Sequence, residues 1–184
     1  MFLQLMRFFL SRMAFSLFLI LLGWCGGLAR AESLSEYHIK AAYLYNFTKF
    51  VTWPSTEFAD AQAPFRLCVL GQNPFGQLLD FLTKKRVHNK DITVLYPASS
   101  QQAVGCHLLF ISQSEESRLS QILESLQDKP VLTVSDMSDF VQQGGMIHFV
   151  FVKNTLRFVI NQKIAIQAGL TISATLLQVS QALR

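Results

Sequence analysis

The chain has 184 residues, 51% hydrophobic and 15% charged, with 16 basic against 12 acidic side chains and three cysteines. Arg7, Arg12 and Arg30 lie in the first 31 residues, so the remainder carries 13 basic against 12 acidic side chains. A net charge near +1 excludes the clustered basic face that nucleic-acid binding needs, and the remaining 153 residues (32–184) make one domain.

The opening reads as a cleavable secretory signal peptide. Arg7 and Arg12 form a basic start, 14–22 is an apolar stretch, and Ala29-Arg30-Ala31 places small residues where signal peptidase reads, so cleavage is expected after Ala31. Met6 is an alternative start that keeps both arginines. The apolar run 13–24 falls short of the roughly 20 residues a spanning helix needs, with an uncleaved anchor as the alternative. Trp24 before Cys25 argues against lipidation, and Cys25 leaves with the peptide.

In the mature chain, Ser33 and Glu36 form a capping box ahead of a long amphipathic helix that ends at Trp53-Pro54. Its apolar stripe reads Ile39, Ala42, Tyr43, Phe47, Phe50 and Val51. Tyr45, Lys49 and Trp53 lie off that stripe, which makes Tyr45 and Trp53 candidate partner-binding aromatics; the alternative is packing beneath the loop 54–64.

Residues 65–70 form a strand ending at Gly71, followed by Asn73-Pro74 as a helix start and a buried face of Phe75, Leu78, Leu79 and Leu82. The triplet Lys84-Lys85-Arg86 reads as a solvated helix end. Residues 92–96 and 107–112 are the next strands. Ser112 and Glu115 cap a helix with Leu119, Ile122, Leu123 and Leu126 inward, and 131–134 is a fourth strand. Residues 146–152 and 155–160 flank Lys153-Asn154 as a hairpin, before a C-terminal helical segment from Gln162 broken near Gly169. Apolar strands alternating with amphipathic helices predict an α/β fold, a three-layer sandwich on a mostly parallel, flavodoxin- or Rossmann-like sheet with a C-terminal antiparallel hairpin.

Cys68 and Cys106 are the pair left after cleavage, and outside the cytoplasm an even pair reads as a disulfide, with two buried free thiols as the alternative. A flavodoxin-like strand order puts their strands side by side, within disulfide reach.

Chemistry is sparse. Gly71 and Gly76 have phosphate-loop spacing, but Gln77-Leu78 stand where lysine and a hydroxyl residue belong. His38, His88, His107 and His148 lack partners at metal or triad spacing and read as structural, so neither a metal, a cofactor nor a catalytic residue is expected. Asp136 and Asp139 follow the fourth strand at the carboxyl edge, where α/β folds bind ligands, though capping is the simpler role. Gly71, Asn73, Phe75 and Asp136 are therefore the candidate ligand cleft.

The segment EYHIKAAYLYNFTKFVTWP (36–54) resembles the opening of the YfiR family, and further blocks follow in the family's order. They are RLCVLGQNPFG (66–76), CHLLFIS (106–112), PVLTVSD (130–136), GGMIHFV (144–150), and LRFVIN with AGLTISATLL (156–177). The resemblance implies a non-enzymatic periplasmic repressor that binds the periplasmic part of an inner-membrane diguanylate cyclase, lowering cyclic di-GMP and biofilm output. It also implies sequestration by an OmpA-like outer-membrane lipoprotein, dependence on oxidised cysteines, and a possible homodimer. Some members carry a second cysteine pair in the region 144–153, which has none here. A periplasmic small-ligand sensor is the alternative function.

Overall fold

A computed structural model of the chain describes residues 25–60 and 62–181. Contacts divide the chain into Met1–Glu36 and Tyr37–Arg184. Of the first unit, the described part is helical backbone from Cys25 onward. The signal-peptide reading falls mostly on residues outside those described.

Helix α1 (Cys25–Phe50) runs through Ser33 without starting there, so the expected capping box does not begin it. It also stops three residues before Trp53, because Val51–Thr52 (β1) leave the helix to pair antiparallel with Thr171–Ile172 (β9). Its buried side, from Lys40 and Ala41 through Leu44, Phe47 and Thr48, is rotated by part of a turn from the predicted stripe, with which it shares Phe47. Ile39 is 47% and Phe50 38% exposed. The reason is Lys40: a charged residue occupies a core position, which a hydrophobic count assigns to solvent.

The remaining elements, in chain order, are β2 (Phe65–Leu70), β3 (Arg86–Val87), β4 (Lys90–Leu95), α2 (Ser100–Ala103), β5 (Leu108–Ile111), α3 (Leu119–Ser125), β6 (Leu132–Ser135), β7 (Ile147–Val152), β8 (Thr155–Ile160), α4 (Gln162–Gln167) and α5 (Ala174–Val179). Among the described residues the main sheet has seven strands in the order β3-β4-β2-β5-β6-β7-β8. The five from β4 to β7 are parallel, and β3 and β8 add antiparallel edges. Counting only the parallel strands in chain order, they lie 2-1-3-4-5, so the first and third are neighbours, as expected for a disulfide between them. Alternate residues of β2 feed two apolar clusters. Leu67 and Val69 join Ala41, Leu44 and Phe47 of α1, while Cys68 and Leu70 join Leu119 and Ile122 of α3.

Several local expectations change. Asn73 does not open an α-helix: its Oδ1 accepts the Phe75 amide at 2.9 Å as an Asx turn, and the segment continues as turns with a 3-10 helix at Asp80–Lys84. Ser112 makes no side-chain cap, and its helix enters through a 3-10 turn at Gln113–Arg118. The Lys153-Asn154 hairpin turn is present, with φ of 49° and 57° at its two residues, the left-handed pair that matches strand twist. A second such turn at His88 (49°) and Asn89 (62°) joins β3 to β4, an edge hairpin absent from the sequence reading. The C-terminal segment is broken at Gly169 as expected, with β9 inserted between α4 and α5. No helix among the described residues is long and apolar enough to cross a membrane.

Candidate functional site

Asp136 follows β6 at the carboxyl edge of the parallel strands, where the fold rule expects a ligand crevice. Two residues of α1, one turn apart, reach it. The Tyr37 hydroxyl donates to Asp136 Oδ2 at 2.9 Å and the Lys40 ammonium to the same oxygen at 2.5 Å. The Lys40 and Asp136 side chains are 2% and 7% exposed, which makes this a buried ion pair. Lys40 Nζ also lies 4.3 Å from the Tyr37 ring centroid. Asp136 Oδ1 is buried with no hydrogen-bond partner among the described residues.

The Tyr37 ring stands edge-on to Phe75 at 5.2 Å, and Phe75 in turn to Phe110 at 4.9 Å. Of the four predicted cleft residues, Phe75 and Asp136 are thus brought together through Tyr37, as packing. Phe75 is 2% exposed. Gly71 and Asn73 lie apart from them, exposed on the turn after β2. Gly71, at φ 90°, must be glycine because a Cβ would collide with Ser114 and Glu115; the Gln72 amide donates to Ser114 Oγ at 2.8 Å. The crevice is filled by the chain's own helix. His148 of β7 neighbours the same cluster. Burial chiefly lowers its pKa and the Lys40 charge adds to that, while Asp136 and Asp139 pull upward.

The two candidate aromatics differ. Trp53 is 6% exposed and its Nε1 donates to the His107 carbonyl at 2.9 Å, so the expectation of an exposed ring fails there. It packs edge-on to Phe65, beneath the loop the sequence left as the alternative. Tyr45 is half-buried against the core, with the Lys49 ammonium 4.0 Å above its ring. His107, missed as more than structural filler, is the clamp of this end. Its Nδ1 accepts the Arg66 amide at 2.8 Å, its ring is stacked between Phe58 and Phe65, and Nε2 faces the Glu57 carbonyl at 3.4 Å. Burial, then the Arg66 charge, hold its pKa down at about 4.

Cys68 and Cys106 are joined in a disulfide with Cα atoms 6.0 Å apart, linking β2 to the turn before β5. The expected bond is present.

At the hairpin, Phe149 and Phe158 pack against Tyr43 and Phe47 of α1 at ring separations of 5.1 to 5.9 Å. Beyond that contact the strand tip is bare: Phe151 is 58% and Val152 40% exposed. Exposed aromatic and branched side chains on a braced hairpin suit protein contact better than catalysis. No group of three or more His, Cys, Asp or Glu side chains among the described residues is arranged to hold a metal.

Among curated proteins, none matches the chain. A family model described as YfiR/HmsC-like matches residues 37–181, which span the sheet, the disulfide, the filled crevice and the hairpin. The chain belongs to the YfiR/HmsC-like family.

Proposed function

We propose that this chain is a periplasmic regulator that binds the periplasmic portion of an inner-membrane diguanylate cyclase and holds it inactive, lowering cyclic di-GMP and biofilm formation. Family membership over residues 37–181 is the observation that carries this reading. It acts by differential binding to one conformation of its partner, without catalysis. The disulfide supports a location outside the cytoplasm, since such bonds persist in oxidising compartments. Export proceeds through the N-terminal signal peptide with cleavage after Ala31. The hairpin tip at Phe151 and Val152, with Tyr45 on α1, supplies the contact surface, and an OmpA-like lipoprotein sequesters the regulator. The 2-1-3-4-5 parallel order and the two apolar clusters support a flavodoxin-like, three-layer description of the fold.

Deleting the gene in its host, with intracellular cyclic di-GMP and surface attachment as readouts, tests the reading. Both rise on deletion and return on complementation. Unchanged levels in a strain shown to express the cyclase refute it. Capture of the cyclase's periplasmic domain by the wild-type protein, weakened by Phe151→Asp, tests the surface separately.

A further inference from the structure

The strand order of the main sheet reverses between β2 and β5, with β4 on one side of that pair and β6 on the other. In open α/β sheets a ligand crevice forms at such a point, outside the carboxyl ends of the strands, because the connections on either side leave toward opposite faces. A half-open cavity of about 120 Å³ lies there. Leu70, the last residue of β2, lines it, together with Ser99 and Ser100 from the segment after β4 and with Glu115 and Arg118 from the 3-10 turn after β5.

Size and charge narrow what the cavity can hold. Its volume is below the roughly 300–1,000 Å³ of drug-sized sites, so an occupant has only a few non-hydrogen atoms. Leu70 and Ile122 are its buried apolar floor, and the rest of the lining is polar. One acid and one base line it, and Arg118 Nη2 donates to Glu115 Oε2 at 2.5 Å. The two side chains differ in exposure, 7% for Glu115 and 59% for Arg118. A carboxylate withdrawn this far from water needs its lone pairs satisfied, yet among the described residues Oε1 accepts no hydrogen bond. The guanidinium spends one N–H on the pair and has others to donate. Gly71 leaves the room in which this carboxylate lies: a Cβ there would come within 2.8 Å of Glu115 Cγ and 3.0 Å of Oε1.

The cavity therefore joins a buried, half-satisfied carboxylate to a half-satisfied guanidinium, with no net charge. A simple anion is repelled by Glu115, a simple cation by Arg118, and an apolar molecule satisfies neither. A zwitterion laid antiparallel along the pair completes both. We propose that this cavity binds a small zwitterionic amino acid, its ammonium on the Glu115 carboxylate, its carboxylate on Arg118 and its short side chain over Leu70 and Ile122. The site is separate from the Asp136 crevice and the hairpin tip, and it gives the protein a small-molecule input that its family membership does not assign.

Calorimetric titration of the purified protein with L-alanine, propionate and ethylamine tests this, since the last two each keep one of alanine's charges. Saturable binding of L-alanine is expected, at least about tenfold tighter than either analogue, because each analogue loses one charge-assisted contact. Arg118→Gln should lose about tenfold or more in alanine affinity. Gln121→Trp, which covers the cavity from an exposed position on α3, should abolish binding while keeping the wild-type melting curve, and it decides the matter should Arg118→Gln fail to fold. The proposal is overturned by equal or tighter binding of either analogue, by undiminished affinity in a folded variant, or by no saturable binding up to about 10 mM L-alanine.

Discussion

The buried pair between Lys40 and Asp136 offers a sharp test of how α1 is held. Lys40→Met keeps most of the aliphatic stem and removes the ammonium, leaving a carboxylate that is 7% exposed and already has one oxygen without a partner among the described residues. Removing one partner of such a pair typically costs about 3–5 kcal/mol, because an uncompensated charge stays in a low-dielectric site. Against a total stability of about 5–15 kcal/mol this is a large share, and for a domain of this size it lowers Tm by about 10 °C. Asp136→Asn alone should also destabilise the fold, by removing the carboxylate that faces the Lys40 ammonium. The double variant Lys40→Met/Asp136→Asn should recover most of the loss, since asparagine still accepts the Tyr37 hydroxyl and no charge remains. Urea denaturation of the four proteins closes the double-mutant cycle. Single-variant losses below about 1 kcal/mol, or losses that simply add, would refute the claim that this pair pins the helix.

Replacing both cysteines by serine opens a cross-link across a sequence separation of 38 and should cost about 4 kcal/mol on the chain-entropy estimate, read as a lower urea midpoint under oxidising conditions; an unchanged midpoint would show that the bond contributes nothing. His107 has a folded pKa of about 4 against 6.5 unfolded, so the unfolded chain takes up its proton first. Its contribution is complete above pH 6.5 and is lost as pH falls toward 4, about 3 kcal/mol in all, and the stability difference between wild type and His107→Gln should shrink over that window. A pH-independent difference would remove His107 from the acid response. Gly145→Ala would drive a methyl group into three carbons of the fully buried Phe140 ring, so thermal unfolding should report a loss of about 1–3 kcal/mol, whereas Gly144→Ala meets no neighbour but carries the strain of φ 102°.

Much of the architecture was legible because it rests on strong local signals. The apolar strands β2, β5 and β6, the Lys153-Asn154 turn and the paired cysteines each carry a strong local signal, and a flavodoxin-like order with a disulfide makes the first and third parallel strands neighbours. The α1 face was misjudged by part of a turn because Lys40 sits where counting expects an apolar residue; Asp136, 96 positions away, pairs with it there. Strands β1 and β9 are two residues each and exist through the long-range pairs Val51 with Ile172 and Thr52 with Thr171, which leave no periodic signal. Trp53 was a candidate for exposure because it lies off the predicted apolar stripe, whereas its ring is taken up by the His107 carbonyl and Phe65. At the crevice, the sequence could name Asp136 as a carboxylate at the carboxyl edge but not that Tyr37 and Lys40 would occupy the space in front of it.

Helix α1 is fastened at two places that differ in kind. Midway along it, Tyr37 and Lys40 bind it electrostatically to Asp136; past its C-terminal end, Val51 and Thr52 continue it into a backbone ladder with β9. Ile39 and Phe50 lie exposed beside these two fastenings. A protein that gripped both side chains would hold a lever and not a patch: any torque it applied would load the carboxyl-edge ion pair and the β1–β9 ladder together. Contact on the outside of one helix is thereby mechanically connected both to the carboxyl edge of the main sheet and to the small β1–β9 sheet.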